Sequence, residues 1–333
     1  MWETNEMRVL VTGGAGFIGS HITEGLLTEG HDVVVLDNLE PYYDVGIKRR
    51  NIEVCRDRGG DSYSVVNGSI LDEELVEAVF DDHDVEFVYH QAAQAGVRAS
   101  VEAPKRVHEI NTTGLLNLLE VAADAGVDRF VHASSSSVYG RDEYLPYDED
   151  HPTNPRSPYG VTKLTAEHYC NVWSDLFDLP CVNLRYFTVY GPRMRPNMAI
   201  SNFVSRCLNG DPPVIYGDGK QTRDFTYVDD IVEANLALLD ADAADGETMN
   251  IGSTGNITIT DLAQYVVDET GADVEIVYDD AQEADARHTH SDVSKARELV
   301  DYRPTTSIRE GVSKFIDWYR ENRDWYEPLV LDS

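Results

Sequence analysis

VTGGAGFIGSH, residues 11–21, carries Gly13, Gly16 and Gly19 in a GxxGxxG array. An apolar run, MRVLVT (7–12), leads into it, and a helical pattern from Phe17 to Glu29 leads out. The first glycine permits a tight turn, the second lets backbone approach a pyrophosphate, and the third lets helix and strand pack closely. The helix N-terminus then offers unpaired N–H groups and a partial positive charge to an anion. With a strand before it and a helix after it, the motif reads as a dinucleotide-binding turn. Asp37 ends the next strand-like run, HDVVVLDN (31–38), 24 residues past Gly13, where a carboxylate can accept hydrogen bonds from an adenosine ribose. The same carboxylate would repel a 2′-phosphate. The closest basic residues, Lys48 and Arg49, are expected in a loop, so the expected cofactor is NAD, not NADP.

Working outward, short apolar runs alternate with helical patterns, which implies a doubly wound parallel sheet of Rossmann type, an α/β fold. Further strands are expected at 63–69, 85–91, 129–134 and 179–187, with helices near 72–81, 105–125 and from Pro158 to about Phe177. Beyond Gly191 Pro and Gly become frequent, and helical patterns recur near 228–240, 260–270 and 308–320. The expected division is a NAD-binding domain over 1–190 and a smaller, mainly helical substrate domain over 191–333, with later segments able to cross back.

Asp plus Glu number 60 against 27 Lys plus Arg, a formal charge of −33 spread along all 333 residues. Only six of the basic residues are Lys. So large a charge opposes a compact state unless salt screens it, and the screening length falls to roughly 3 Å at 1 M. The acidity therefore reads as adaptation to concentrated salt. It excludes a nucleic-acid partner, which would need a basic stripe. MWETNEM has no basic region followed by an apolar core, and no apolar run approaches the ~20 residues of a membrane span. A cytoplasmic enzyme is expected, with Cys55, Cys170, Cys181 and Cys207 as free buried thiols. No metal site is expected; His288-Thr289-His290 with Asp292 reads as a polar loop.

SPYGVTKLTAEHY (157–169) sets Tyr159 and Lys163 four apart, on one face of a helix. An ammonium near a phenol lowers its pKa toward neutrality, and the phenolate can then accept an alcohol proton. The pair lies 24 residues after Ser135, in HASSSSVYG (132–140), a serine run at the end of the fifth expected strand.

Taken with TGGAGFIGSH, LDN (36–38), HQAAQAGVR (90–98), EINTTG, YGVTK, RYFTVYGPR, GDGKQTRDFTYVDD and HSDVSKA, these segments resemble an extended short-chain dehydrogenase/reductase. Within that group the resemblance is to the NAD-dependent nucleotide-sugar epimerase/dehydratase family. It implies tightly held NAD that oxidises C4 of a UDP-sugar and reduces it again, and a homodimer built on the helices after the fourth and fifth strands. It implies that Tyr159 is the base, that Lys163 is its partner, and that Ser135 hydrogen-bonds O4. Phe17, Ile18, Asp37, Asn38, Ile70, Gln91, Ala92, Ala93, Asn111, Ser134 and Tyr186 fall on cofactor positions. Ser69 does too, where many relatives carry Asp. Arg98, Ser136, Thr188, Arg195, Arg223, Asp285 and Arg287 fall on substrate positions.

Dehydratases of the family carry Asp-Glu at the positions of Ser136 and Ser137, and decarboxylases a Glu at the second. Serine hydroxyls cannot serve as that acid or base, which leaves 4-epimerisation. PYYDVGIKRR (41–50) and FTVYGPRMRPNMA resemble the UDP-glucuronate 4-epimerases, and Arg195, or failing it Arg193, is expected to hold a C6 carboxylate through two parallel hydrogen bonds. UDP-glucose and UDP-N-acetylglucosamine remain alternative substrates. A UDP-glucuronate decarboxylase, an oxidoreductase that releases NADH and a non-catalytic NAD sensor are the rival functions.

Overall fold

The computed structural model describes residues 6–253, 255–280 and 287–331. Strands β1 (Arg8–Thr12), β2 (Asp32–Asp37), β3 (Tyr63–Asn67), β4 (Phe87–His90), β5 (Arg129–Ser135) and β6 (Cys181–Tyr186) lie in one parallel sheet, with Thr248–Ile251 as a seventh strand beside β6. From that edge the order runs β6, β5, β4, β1, β2, β3. Strand addition therefore reverses between β1 and β4, and a crevice opens outside their carboxyl ends. Val9, Leu10 and Val11 are fully buried, as a strand covered on both faces requires.

Helices α1 (Phe17–Glu29) and α2 (Val45–Gly59) cover one face with Val9 and Val11. Helices α3 (Glu73–His83), α4 (Val97–Glu102), α5 (Pro104–His108), α6 (Gly114–Ala125) and α7 (Pro158–Leu176) complete the sheet-bearing half. Of these, α3, α6 and α7 cover the other face with Leu10 and Leu36. The first apolar cluster continues into the later helices through Ile231, Phe315 and Tyr326.

The structure corrects two local expectations. Residues 45–59, read as loop around Lys48, form α2. Asp44 caps it by accepting from the Gly46 N–H at 2.6 Å, and Ile47, Ile52 and Cys55 face the core. The expected helix over 105–125 is interrupted: Pro104 starts α5, and a π turn over Glu109–Thr113 precedes α6. In the later half, Val228–Leu236, Ile259–Thr270 and Ile308–Glu321 are helices on the expected patterns. Among the described residues, no helix is long and apolar enough to cross a membrane. All four cysteines are free and buried.

One buried ion pair locks α7 to the sheet. Arg185 on β6 donates Nε and Nη2 to the two oxygens of Glu167, at 2.9 and 2.8 Å. Glu167 also accepts from the Ser134 hydroxyl. Arg185 Nη1 donates to the Tyr139 hydroxyl at 3.0 Å, and that hydroxyl donates to Asn250 at 2.6 Å. Removing one member leaves the other charge buried and unpaired. Arg185→Met should destabilise the protein by about 3–5 kcal/mol, read as a lower midpoint in denaturant titrations at fixed high salt.

Candidate active site

The turn after β1 is built for close approach. Gly13 has φ +69°, and a Cβ there would stand 2.7 Å from the Ala92 nitrogen; one at Gly19 would stand 2.4 Å from the Gly13 oxygen. Gly16 caps α1 without a side chain, and no acidic residue occupies the first turn, so that turn's N–H groups are offered to an outside anion. They face a cavity of about 390 Å³ that reaches from Asp37 to Tyr159. A glycine cradle, an uncapped helix start and a buried carboxylate at the end of β2 together fit a dinucleotide.

The expected cofactor residues converge on this cavity. The turn residues Gly13, Gly16, Phe17, Ile18 and Gly19 line it, as do Asp37, Asn38, Ser69 and Ile70. So do Gln91, Ala92 and Ala93 after β4, and Ser134, Tyr159, Lys163 and Tyr186. The Ser69 hydroxyl accepts from the Leu71 N–H. The Ser134 hydroxyl is turned to Glu167, so any cofactor contact there is through backbone.

Asn111 departs from its expected place. Buried outside the cavity lining, it accepts from the Gln94 N–H at 2.8 Å and donates to the Thr162 hydroxyl at 3.1 Å. It pins the loop after β4 to α7 and has no side-chain donor left for a cofactor. Lys48 also corrects the reading. Its Nζ lies 3.5 Å from Asp37 Oδ1, buried on the cavity wall, so a basic residue does stand beside Asp37 and the charge argument against a 2′-phosphate is weakened.

At the far end, Ser157 and Pro158 start α7, with the serine hydroxyl accepting from the Gly160 N–H at 3.1 Å. This places Tyr159 in the first turn and Lys163 one turn on. Lys163 Nζ donates to the Ala133 carbonyl at 2.6 Å. Burial raises the Tyr159 phenol above its ordinary value, opposed by a hydrogen bond to Ser135 and by the charge of Arg195. That is the reverse of the direction expected from Lys163. The pair is drawn off by desolvation, which pushes Lys163 itself down to about 8.

A second cavity, about 1130 Å³, adjoins the first and shares Tyr42, Gly96, Thr188, Arg195 and Met198 with it. Arg98, Arg195, Arg223 and Arg287 all line it, and Asp218 is the one carboxylate among its described lining residues. In a chain of charge −33 this is a concentrated cationic wall, suited to a diphosphate. Arg98 lies over the Tyr216 ring and Arg195 over the Tyr42 ring, each at 5.5 Å. Arg193, the second candidate for the carboxylate, is buried against Glu24 on α1 and faces neither cavity. Asp285 lies outside the described residues. Sequence reasoning missed Tyr42, Tyr43 and Lys48 as cavity residues; the aromatic pair in PYYDVGIK was their one visible signal.

The family described as "NAD dependent epimerase/dehydratase family" matches residues 9–252. A putative UDP-glucose 4-epimerase of Methanocaldococcus jannaschii is 39% identical over 318 residues, covering 94% of this chain and 99% of that protein. A UDP-glucuronate 4-epimerase of Thermodesulfobacterium geofontis is 38% identical over 324 residues, covering 97% and 99%. The crystal structure of a UDP-glucuronic acid 4-epimerase from Bacillus cereus, in complex with UDP-glucuronic acid and NAD, superposes with a TM-score of 0.88. It is 36% identical, over 95% of this chain and 99% of that one.

The depressed Lys163 value carries a sign that can be checked. A buried ammonium opposes folding while it is charged, so stability should rise as pH passes upward through about 8 toward the ordinary lysine value. With only six lysines, ¹³C-dimethylated cofactor-free protein should show, besides the α-amino group that titrates in the same range, one lysine resonance titrating near 8 that is absent in Lys163→Met.

Proposed function

The chain belongs to the NAD-dependent epimerase/dehydratase family as a UDP-sugar 4-epimerase, and from that premise we propose that it interconverts UDP-glucuronate and UDP-galacturonate. Arg195 carries the reading. It lines both cavities, at the junction between the turn that fits the dinucleotide and the cationic wall, and its charge acts on Tyr159. Among the described residues, no carboxylate pairs with it. A guanidinium so placed can take a sugar C6 carboxylate beside the reacting C4.

NAD, held by the turn after β1 and the cavity residues around it, would supply reversible hydride chemistry at C4. Tyr159 accepts the O4 proton and later gives it back, with Ser135, its hydrogen-bond partner, bridging to O4. Lys163, held by the Ala133 carbonyl, keeps positive charge beneath the reacting end. The α1 N-terminus holds the cofactor pyrophosphate, while Arg98, Arg223 and Arg287 hold the UDP diphosphate. Ser136 and Ser137 line the first cavity, whose only carboxylates among the described residues are Asp37, ending β2, and Glu40 just after it. Among the described residues, no acid therefore stands where elimination or assisted decarboxylation would need one, which favours epimerisation.

Val161, Val172, Leu176 and Phe177, on or just after α7, expose apolar surface, as does Val101 on α4. That stripe is the face on which we place a homodimer. Like-charged subunits and an anionic substrate both gain from screening. Sedimentation and assays over a KCl series should show dimer and turnover rising together from 0.1 M toward 1 M, where the screening length falls from ~10 to ~3 Å. A flat profile would remove the high-salt reading.

Arg195→Ala should lower kcat/KM for UDP-glucuronate by roughly 100-fold or more, the loss of a charge-assisted bidentate contact, and leave UDP binding nearly unchanged. The deciding assay offers UDP-glucuronate, UDP-glucose and UDP-N-acetylglucosamine separately in high salt and reads the products by NMR. Unaltered UDP-glucuronate turnover in Arg195→Ala would overturn the assignment.

A further inference from the structure

Tyr42 belongs to neither the glycine turn nor α7, yet it lines both cavities. The Arg195 guanidinium sits over its ring, 5.5 Å from the centroid. Its hydroxyl rests against the loop after β4, where a Cβ on Gly96 would stand 2.6 Å away. It is also among the groups that act on the Tyr159 phenol. One half-buried ring therefore stands next to both the guanidinium that would hold a carboxylate and the phenol that would act on O4.

We propose that Tyr42 is a positioning residue that orients the Arg195 guanidinium and thereby keeps a uronate carboxylate from leaving as CO₂ at the 4-keto stage. The inference rests on the UDP-glucuronate reading. A guanidinium is planar and stacks on an aromatic face, and a carboxylate bound by two parallel hydrogen bonds is held in line with it. Fixing the guanidinium thus restrains the sugar's C5–C6 bond.

The danger is specific. With C4 oxidised to the ketone, the C6 carboxylate is β to a carbonyl. If the C5–C6 bond aligns with the carbonyl π system, it breaks with its electron pair moving into C5–C4. O4 becomes an enolate oxygen, CO₂ departs, and C5 then takes a proton from water. The product is a UDP-4-keto-pentose, and the oxidant is the same bound cofactor that epimerisation uses. No further redox partner is needed. An arginine free to swing would let that alignment occur, whereas one stacked on Tyr42 and held near the loop at Gly96 would not.

The test compares wild type, Tyr42→Phe, Tyr42→Leu and Tyr42→Gln with UDP-[6-¹³C]glucuronate in high salt. It counts ¹³CO₂ per epimerised sugar and measures the affinities for UDP and UDP-glucuronate by calorimetry. Tyr42→Phe keeps the ring and should partition like wild type. The ring-free variants should raise CO₂ per epimerisation by about tenfold and lose affinity for UDP-glucuronate relative to UDP. Tyr42→Gln decides the matter should Tyr42→Leu fail to bind UDP. A wild type that epimerises UDP-glucuronate while ring-free variants keep its partition overturns the role of Tyr42 and leaves the substrate reading standing. A wild type that turns over only UDP-glucose or UDP-N-acetylglucosamine overturns that reading, and the inference with it.

Discussion

Backbone meets backbone where the β1 turn passes Ala92, and the rest of the site depends on that contact. A side chain at position 13 would collide with the chain after β4, and one at 19 with the turn itself. Two loops from neighbouring strands can therefore close over the point where the sheet order reverses. The crevice at that point sets the start of α1 against the ends of β4 and β5. From there, Ser135 and α7 need only the parallel register of β4, β5 and β6 to reach the same opening.

Charge is divided as sharply as the backbone is packed. Each deeply buried cation outside the cavities has a carboxylate partner: Arg185 has Glu167, Arg193 has Glu24, and Arg129 has Asp242 and Asp245. The Arg185–Glu167 and Arg193–Glu24 pairs cancel locally and add nothing to the excess of −33. The four cavity arginines are gathered on one wall, where Asp218 is the one carboxylate among the described lining residues. Four guanidiniums on one wall beside the cavity that fits a dinucleotide suit a diphosphate, which is why the wall reads as a ligand site.

Much of this was legible from residues alone, for physical reasons. A strand covered on both faces must be a continuous apolar run, so β1, β2, β4 and β5 stood out. The glycine turn announces itself because no other residue fits it. What stayed hidden depended on partners distant in sequence. Helix α2 is nearly half charged, and its few core residues give too weak a periodicity to betray it, so the sequence alone shows neither the helix nor the pairing of Lys48 with Asp37. Asn111 matched a cofactor position, but a carboxamide carries both donor and acceptor, and the fold assigns them to Gln94 and Thr162. Arg193 and Arg195 are two residues apart and chemically alike. Only the turn geometry, which gives Arg193 a φ of +62° and points it at Glu24, separates them.

The Tyr159 environment shows why a motif is not yet a mechanism. Spacing puts phenol and ammonium on one helical face, yet burial acts on both and favours the neutral form of each. The groups that do draw the phenol toward ionisation are Ser135, at the end of the neighbouring strand, and Arg195, from the loop that reaches into the second cavity. On the proposed reading, reactivity at O4 would be tied to the same arginine that would hold the sugar's carboxylate. A substrate anion neutralising Arg195 would weaken its pull on Tyr159 and leave Ser135 as the remaining group that draws the phenol toward ionisation. The site fits chemistry that begins only when cofactor and sugar are both in place.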